Sequence, residues 1–127
     1  MSKIPEDLRY TKEHEWVKVE GELVRVGITD YAQEKLGEVV FVELPEVGNK
    51  FTAMAAMGTV ESVKAVSEVY APVAGEIVEV NQAVVNEPAL LNRSPYEEGW
   101  LVKIRPEDPG QVDSLLTAEK YADLIKE

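Results

Sequence analysis

Hydrophobic and polar residues alternate with the two-residue period of a half-buried strand over several short stretches of this chain. Trp16-Val17-Lys18-Val19-Glu20 and Leu23-Val24-Arg25-Val26 predict two strands joined at Glu20-Gly21-Glu22, where glycine supplies the positive φ of a tight turn. Glu38 to Leu44 is an apolar run of strand length closed by Pro45, and Glu46 to Lys50 is turn-like. Strict alternation returns in Glu76 to Asn81, and Trp100 to Arg105 is a final strand that Pro106 ends. Between these lie Met57-Gly58-Thr59-Val60 and Val66 to Ala71, two arms rich in β-branched and aromatic residues. They predict a hairpin with Ser62, Val63, Lys64 and Ala65 at its tip, placed midway through the sheet order. Residues 51–57, rich in alanine and methionine, are ambiguous between helix and an extended path.

Helical punctuation is sparser. Asp30 as N-cap, Gln33 three residues on and Gly37 as stop predict a helix of about two turns. Residues 82–92 read as an irregular turn followed by a short helix begun at Pro88. Beyond Pro109-Gly110 the pattern turns helical, with Thr117 as N-cap and Tyr121, Leu124 and Ile125 on one face. Short strands spaced by turn signals make the fold mainly β, a sandwich or barrel of antiparallel strands with short accessory helices and a C-terminal helix.

Composition narrows the function more than the fold. A chain of 127 residues is long enough for one core and predicts a single domain. Thirteen basic against 24 acidic side chains leave a net charge of -11, which repels nucleic acid and anionic membrane. Cysteine is absent, so thiol nucleophiles, disulfides and thiolate metal sites are absent with it. No apolar run approaches the roughly 20 residues of a spanning helix. The first residues have neither a signal peptide's apolar segment nor a transit peptide's lack of acids, so a cytoplasmic location is expected. A mature mitochondrial chain whose presequence has been removed stays open.

No pattern for an active site of the chain's own emerges. Glycines are scattered at turns, Ser62 and Ser94 lack a nucleophile's context, and His14 is the sole histidine. A hydrogen-bonded structural role suits His14 better than a metal site. No residue is assigned as catalytic or as a metal ligand. Carboxylates such as Glu13, Glu15, Glu61 and Glu68 are numerous, yet a working pair needs a cleft that a sequence does not display. Lys64 is either an ordinary solvated hairpin lysine or one held out for modification. Carrying something, or binding someone, fits better than catalysis.

Larger motifs bear on that choice. Glu61-Ser62-Val63-Lys64-Ala65 with Ala71-Pro72-Val73-Ala74-Gly75-Glu76-Ile77 resembles the lipoylation hairpin of lipoyl/biotinyl-type barrel-sandwich domains. Tyr10 to Trp16, Gly27 to Gln33, Val40 to Pro45 and Tyr96 to Leu101, in that order, resemble the H proteins of the glycine cleavage system. The resemblance runs from about Tyr10 to the C-terminus and implies a lipoyl-carrier domain spanning residues 1–127. It implies lipoate joined by an amide to Lys64, ligase recognition through Glu61 and Gly75, and an arm cleft lined by Glu13, Glu15 and Glu68. By this resemblance the chain is a non-catalytic, monomeric shuttle. Its partners would be a pyridoxal-phosphate glycine decarboxylase, a tetrahydrofolate-dependent aminomethyltransferase, dihydrolipoyl dehydrogenase and a lipoate ligase or lipoyltransferase. Glu61 would offer a charge near the tip and Gly75 would permit a sharp turn. One departure stands out: where many relatives carry a polar, glycine-containing turn, residues 50–57 read Lys-Phe-Thr-Ala-Met-Ala-Ala-Met.

Three rival readings stay open at this stage. A biotinyl domain presents its lysine between methionines, and Val63 and Ala65 occupy those places here. A lipoyl relay would pass its lipoyl group to other enzymes, and an interaction module would leave Lys64 unmodified.

Overall fold

Two antiparallel sheets carry the chain in a computed structural model that describes residues 2–126. The first comprises β1 (Arg9–Tyr10), β2 (Glu15–Glu20), β3 (Leu23–Ile28), β5 (Lys50–Phe51), β8 (Gly75–Val80) and β9 (Val102–Pro106), in the order β1-β2-β3-β9-β8-β5. The second is β4 (Val39–Glu43), β6 (Ala56–Ser62) and β7 (Val66–Tyr70), in the order β4-β6-β7. Four short helices accompany them: α1 (Asp30–Leu36), α2 (Gln82–Asn86), α3 (Leu90–Arg93) and α4 (Ala118–Leu124). The fold is thus mainly antiparallel β with accessory helices and a C-terminal helix, as the alternation predicts.

Alternation also selects the core. Val24, Val26, Ile77, Val102 and Ile104 point inward from the first sheet, and Val39, Val42, Val60 and Val69 from the second, forming one apolar cluster. A second cluster is aromatic: Tyr10 stacks on Tyr121 with ring centroids 4.6 Å apart, beside buried Trp16. Trp16 lies opposite Gly27 in the β2–β3 pair, and a Cβ on Gly27 would fall 2.7 Å from the indole ring. Glycine at 27 therefore makes room for the tryptophan.

Tertiary contacts redraw several local expectations. Thr29, not Asp30, caps α1: its hydroxyl accepts the Ala32 N–H, and Asp30 becomes the first helical residue. The Asp30 carboxylate instead accepts from the Lys3 N–H and the Gln33 side chain. Residues 82–86 form α2 where an irregular turn is predicted, because buried Asn81 caps it and donates to the Glu98 and Trp100 carbonyls while Val84 packs inward. Leu124 stands 48% exposed while Tyr121 of α4 and Ile125 just past its end are buried, so the apolar face of α4 is narrower than predicted. The ambiguous segment is extended at both ends, with Met54 between them at φ 66, a left-handed conformation that costs a side-chain-bearing residue about 1 kcal/mol or more. The β6–β7 hairpin is not midway through a sheet; β7 is the edge strand of the smaller one. That edge position leaves the hairpin tip open on one side.

Candidate functional site

The tip of the β6–β7 hairpin is wound on one hydroxyl. Ser62 is buried, and its Oγ accepts from the Lys64 and Ala65 N–H groups while its own N–H donates to the Ala65 carbonyl at 2.8 Å. This serine turn satisfies the backbone and leaves Val63, Lys64 and Ala65 exposed. The tip is also moored: the Val63 N–H donates to the Glu38 carbonyl at 3.1 Å. Lys64 lies over Gly37, where a Cβ would meet the lysine Cε at 3.3 Å. Gly37, at φ 82, therefore ends α1 and leaves a bed for the lysine stem.

Beside this bed a groove of about 300 Å³ runs between α1 and β7. Glu13, Glu15 and Glu68 all line it, together with His14, Tyr31 and Lys35. Glu13 and Glu15 come from one turn at the start of β2 and Glu68 from β7, so the fold brings an acid of the hairpin to a pair distant from it in sequence. Thr11 does the collecting at one end: its hydroxyl accepts from the Glu13 and Glu15 N–H groups, winding residues 11–15 into a turn. His14 occupies that turn at φ 71, and its Nδ1 lies 2.9 Å from the Tyr121 hydroxyl, which also meets Thr29 Oγ1 at 2.7 Å. Burial lowers the His14 pKa, so the ring stays neutral at pH 7 and does not offset the acids. The expectation of a structural, hydrogen-bonded histidine therefore holds.

The three acids are not equivalent. Glu13 and Glu68 are exposed, whereas Glu15 is 1% exposed and both of its oxygens are engaged. One accepts from the Thr11 hydroxyl and the other from the Tyr70 N–H at 3.1 Å, so this carboxyl ties β2 of the large sheet to β7 of the small one. Burial pushes its pKa up to about 7 against those two donors, which favour the charged form. Glu15 is a floor of the groove, poised between neutral and charged states; Glu13 and Glu68 are its rim.

The remaining residues singled out in the sequence lie elsewhere. Glu61 is exposed on β6, in register with Phe41 and Val66, so those three share one outward face beside the tip. Phe41 is 51% and Val66 65% exposed, giving Lys64 an apolar collar around Glu61. Gly75 lies in the other sheet, buried in β8, and its φ is not in the left-handed region. A Cβ there would fall 2.3 Å from the Arg105 carbonyl oxygen, so close strand approach, rather than the sharp turn expected, requires glycine. Sequence reasoning also missed the turn-winding hydroxyls of Thr11 and Ser62, for which the ST-turn tendency was the local signal, and read Gly37 as a helix stop without its bed for Lys64.

Comparison with known proteins gives the fold a family. A family model described as glycine cleavage H-protein matches residues 8–127. The glycine cleavage system H protein of Geobacillus kaustophilus is 58% identical over 123 residues, covering 97% of each chain. That of Halalkalibacterium halodurans is 54% identical over 127 residues, all of this chain and 99% of the relative. The crystal structure of a glycine cleavage system H protein from Mycobacterium marinum superposes with a TM-score of 0.87 at 48% identity, covering 94% of this chain and 97% of that one.

Proposed function

This chain belongs to the glycine cleavage H-protein family, and from that premise we propose that it is the lipoylated shuttle of the system, with lipoate in amide linkage to Lys64. One observation carries the reading: an exposed lysine on a moored hairpin tip lies directly beside a groove lined by three acids. The dithiolane of a lipoyl group supplies the redox sulfur that a cysteine-free chain lacks, and it takes up the aminomethyl group left by glycine decarboxylation.

This chain's own residues would present, receive and shield. Lys64 offers its amine from a tip whose backbone is already ordered, so a lipoate ligase or lipoyltransferase meets a preformed substrate. Glu61, within the collar of Phe41 and Val66, is the charge such an enzyme would read. Gly75 contributes indirectly, by letting β8 and β9 close beneath the small sheet. From Leu36 to Tyr31 the groove follows about 7.5 Å of helix, and Glu68 stands about 7 Å into β7 from its first residue, Val66. A lysyl stem extended by an octanoyl-length chain spans both. The aminomethyl nitrogen, cationic at neutral pH, would then lie among Glu13, Glu15 and Glu68, held away from bulk water. Catalysis belongs to the pyridoxal-phosphate decarboxylase, the tetrahydrofolate-dependent aminomethyltransferase and dihydrolipoyl dehydrogenase that this single-domain monomer visits, in the cytoplasm.

Intact mass tests the reading. Chain isolated from a lipoate-sufficient cell carries one lipoyl adduct, which Lys64→Ala abolishes without loss of folding. The loaded wild-type protein supports glycine–bicarbonate exchange with the decarboxylase. Unmodified Lys64 in such cells defeats the proposal, and a biotinyl mass replaces it with the rival cargo.

A further inference from the structure

Gly37 and Glu38, between α1 and β4, form with Val39, the first residue of β4, a ledge under the hairpin tip. Gly37 beds the Lys64 stem, and the Glu38 carbonyl accepts the Val63 N–H. The ledge is itself held from behind by one side chain. Asn92, on α3, donates through Nδ2 to the Gly37 carbonyl at 2.8 Å and to the Gln33 side-chain oxygen at 2.9 Å. Its Oδ1 accepts the Val39 N–H at 2.9 Å. One amide therefore satisfies the residues on both sides of Glu38, and it lies 28 positions from Lys64 in sequence.

We propose that Asn92 is a positioning residue for the modification of Lys64, acting through the ledge at 37–39. The inference rests on the reading of Lys64 as the lipoyl-accepting lysine. Its physical basis is the geometry of a helix end. The chain must leave α1 at a left-handed glycine and turn at once into β4, a path with a carbonyl and an N–H that helix and strand ladders leave unpaired. Asparagine pairs both in opposite senses, which no single-function side chain does. With the ledge fixed, the Glu38 carbonyl points at the tip, and Val63 holds the turn that presents Lys64. With the ledge loose, the tip populates other conformations, and an enzyme that binds only the moored one sees a smaller competent fraction.

Asn92→Asp separates this role from plain stability. Aspartate keeps an acceptor for the Val39 N–H but loses the donors to the Gly37 carbonyl and the Gln33 side chain and sets an oxygen against both of those acceptors. Losing one such bond shifts a local equilibrium by roughly tenfold. Amide hydrogen exchange at Val63 is therefore expected to quicken about tenfold in Asn92→Asp, while the Leu101 amide, bonded to Val26 in the large sheet, keeps its rate relative to global unfolding. With a lipoate–protein ligase, KM for the acceptor chain is expected to rise about fivefold and kcat to stay within about twofold. Val112→Ala, in the core of the 3-10 turn Pro109–Ser114, lowers stability without moving either readout. In the wild-type chain, the Val39 and Val63 amides are expected to exchange through one opening with the same denaturant dependence. Unlinked exchange there, or an unchanged Val63 rate and KM in Asn92→Asp, overturns the inference. Absence of any ligation of wild type would instead strike the reading of Lys64, and the exchange rates would still decide whether Asn92 holds the tip.

Discussion

Glu15 concentrates the chemistry of the groove in one carboxyl. It is buried, doubly hydrogen-bonded and shifted up to about 7, so near neutral pH it exists in both forms. Because its folded-state pKa lies above the unfolded value of about 4.5, the stabilisation is complete below that value and is lost as pH rises through 7. Thermal unfolding should therefore show Tm falling by several degrees between pH 5 and 8. Glu15→Gln keeps an acceptor for the Tyr70 N–H, gives up the bond that Thr11 donates and does not ionise, so its Tm should be lower but flat across that range; a slope equal to wild type would refute the assignment. The same substitution removes the charge that would face the cargo. Release of ammonia and formaldehyde from the loaded protein should then quicken, with lipoylation itself unaffected. A cation arriving in the groove would favour ionised Glu15, coupling loading to loss of a proton.

At the scale of elements, α4 is a short helix with an outsized influence. It spans seven residues, too few to persist alone, and it stays folded by setting Tyr121 against Tyr10. The Tyr121 hydroxyl reaches both His14 and Thr29, so this helix braces the 11–15 turn and the cap of α1, two walls of the groove. Tyr121→Ala should cost about 3–5 kcal/mol in urea unfolding, and Tyr121→Phe, which keeps the stack, about 1 kcal/mol. Equal losses from the two would mean that the hydroxyl, not the ring packing, docks the helix. How much of this was legible differs by element. The Thr117 cap and the β2–β3 and β6–β7 hairpins follow from local residue preferences, since turn chemistry and alternation are nearest-neighbour effects. The α1 cap was misplaced by one residue because Asp30 and Thr29 both suit the role, and the choice fell to Asp30 finding the Lys3 N–H and Gln33 instead.

For the whole molecule, acidity is the property partners meet first. A net charge of -11 on a small surface raises the encounter rate with basic docking faces and does so less as salt screens it. Under the proposed shuttle role, kcat/KM for transfer to the decarboxylase and the aminomethyltransferase should fall as ionic strength rises, with kcat nearly constant. Stopped-flow rates indifferent to salt would remove charge steering from the account. The exposed collar of Phe41, Val63 and Val66 then supplies short-range, salt-insensitive contact around Lys64.

Strand alternation, proline stops and the turn residues around Lys64 determined, from sequence alone, a mainly β chain with one lysine at a hairpin tip. These are local properties, written within a few residues of where they act. The convergence of Glu13, Glu15 and Glu68 on one groove, anticipated only through family resemblance, acquired its geometry in three dimensions, where Glu15 became a buried tie and the other two a rim. The bed at Gly37, the brace from Asn92 and the steric demand at Gly75 belong to the tertiary structure, because each depends on a partner brought close by sheet pairing or helix packing. Residue type limits what such positions can do; only the packed chain decides what stands next to them.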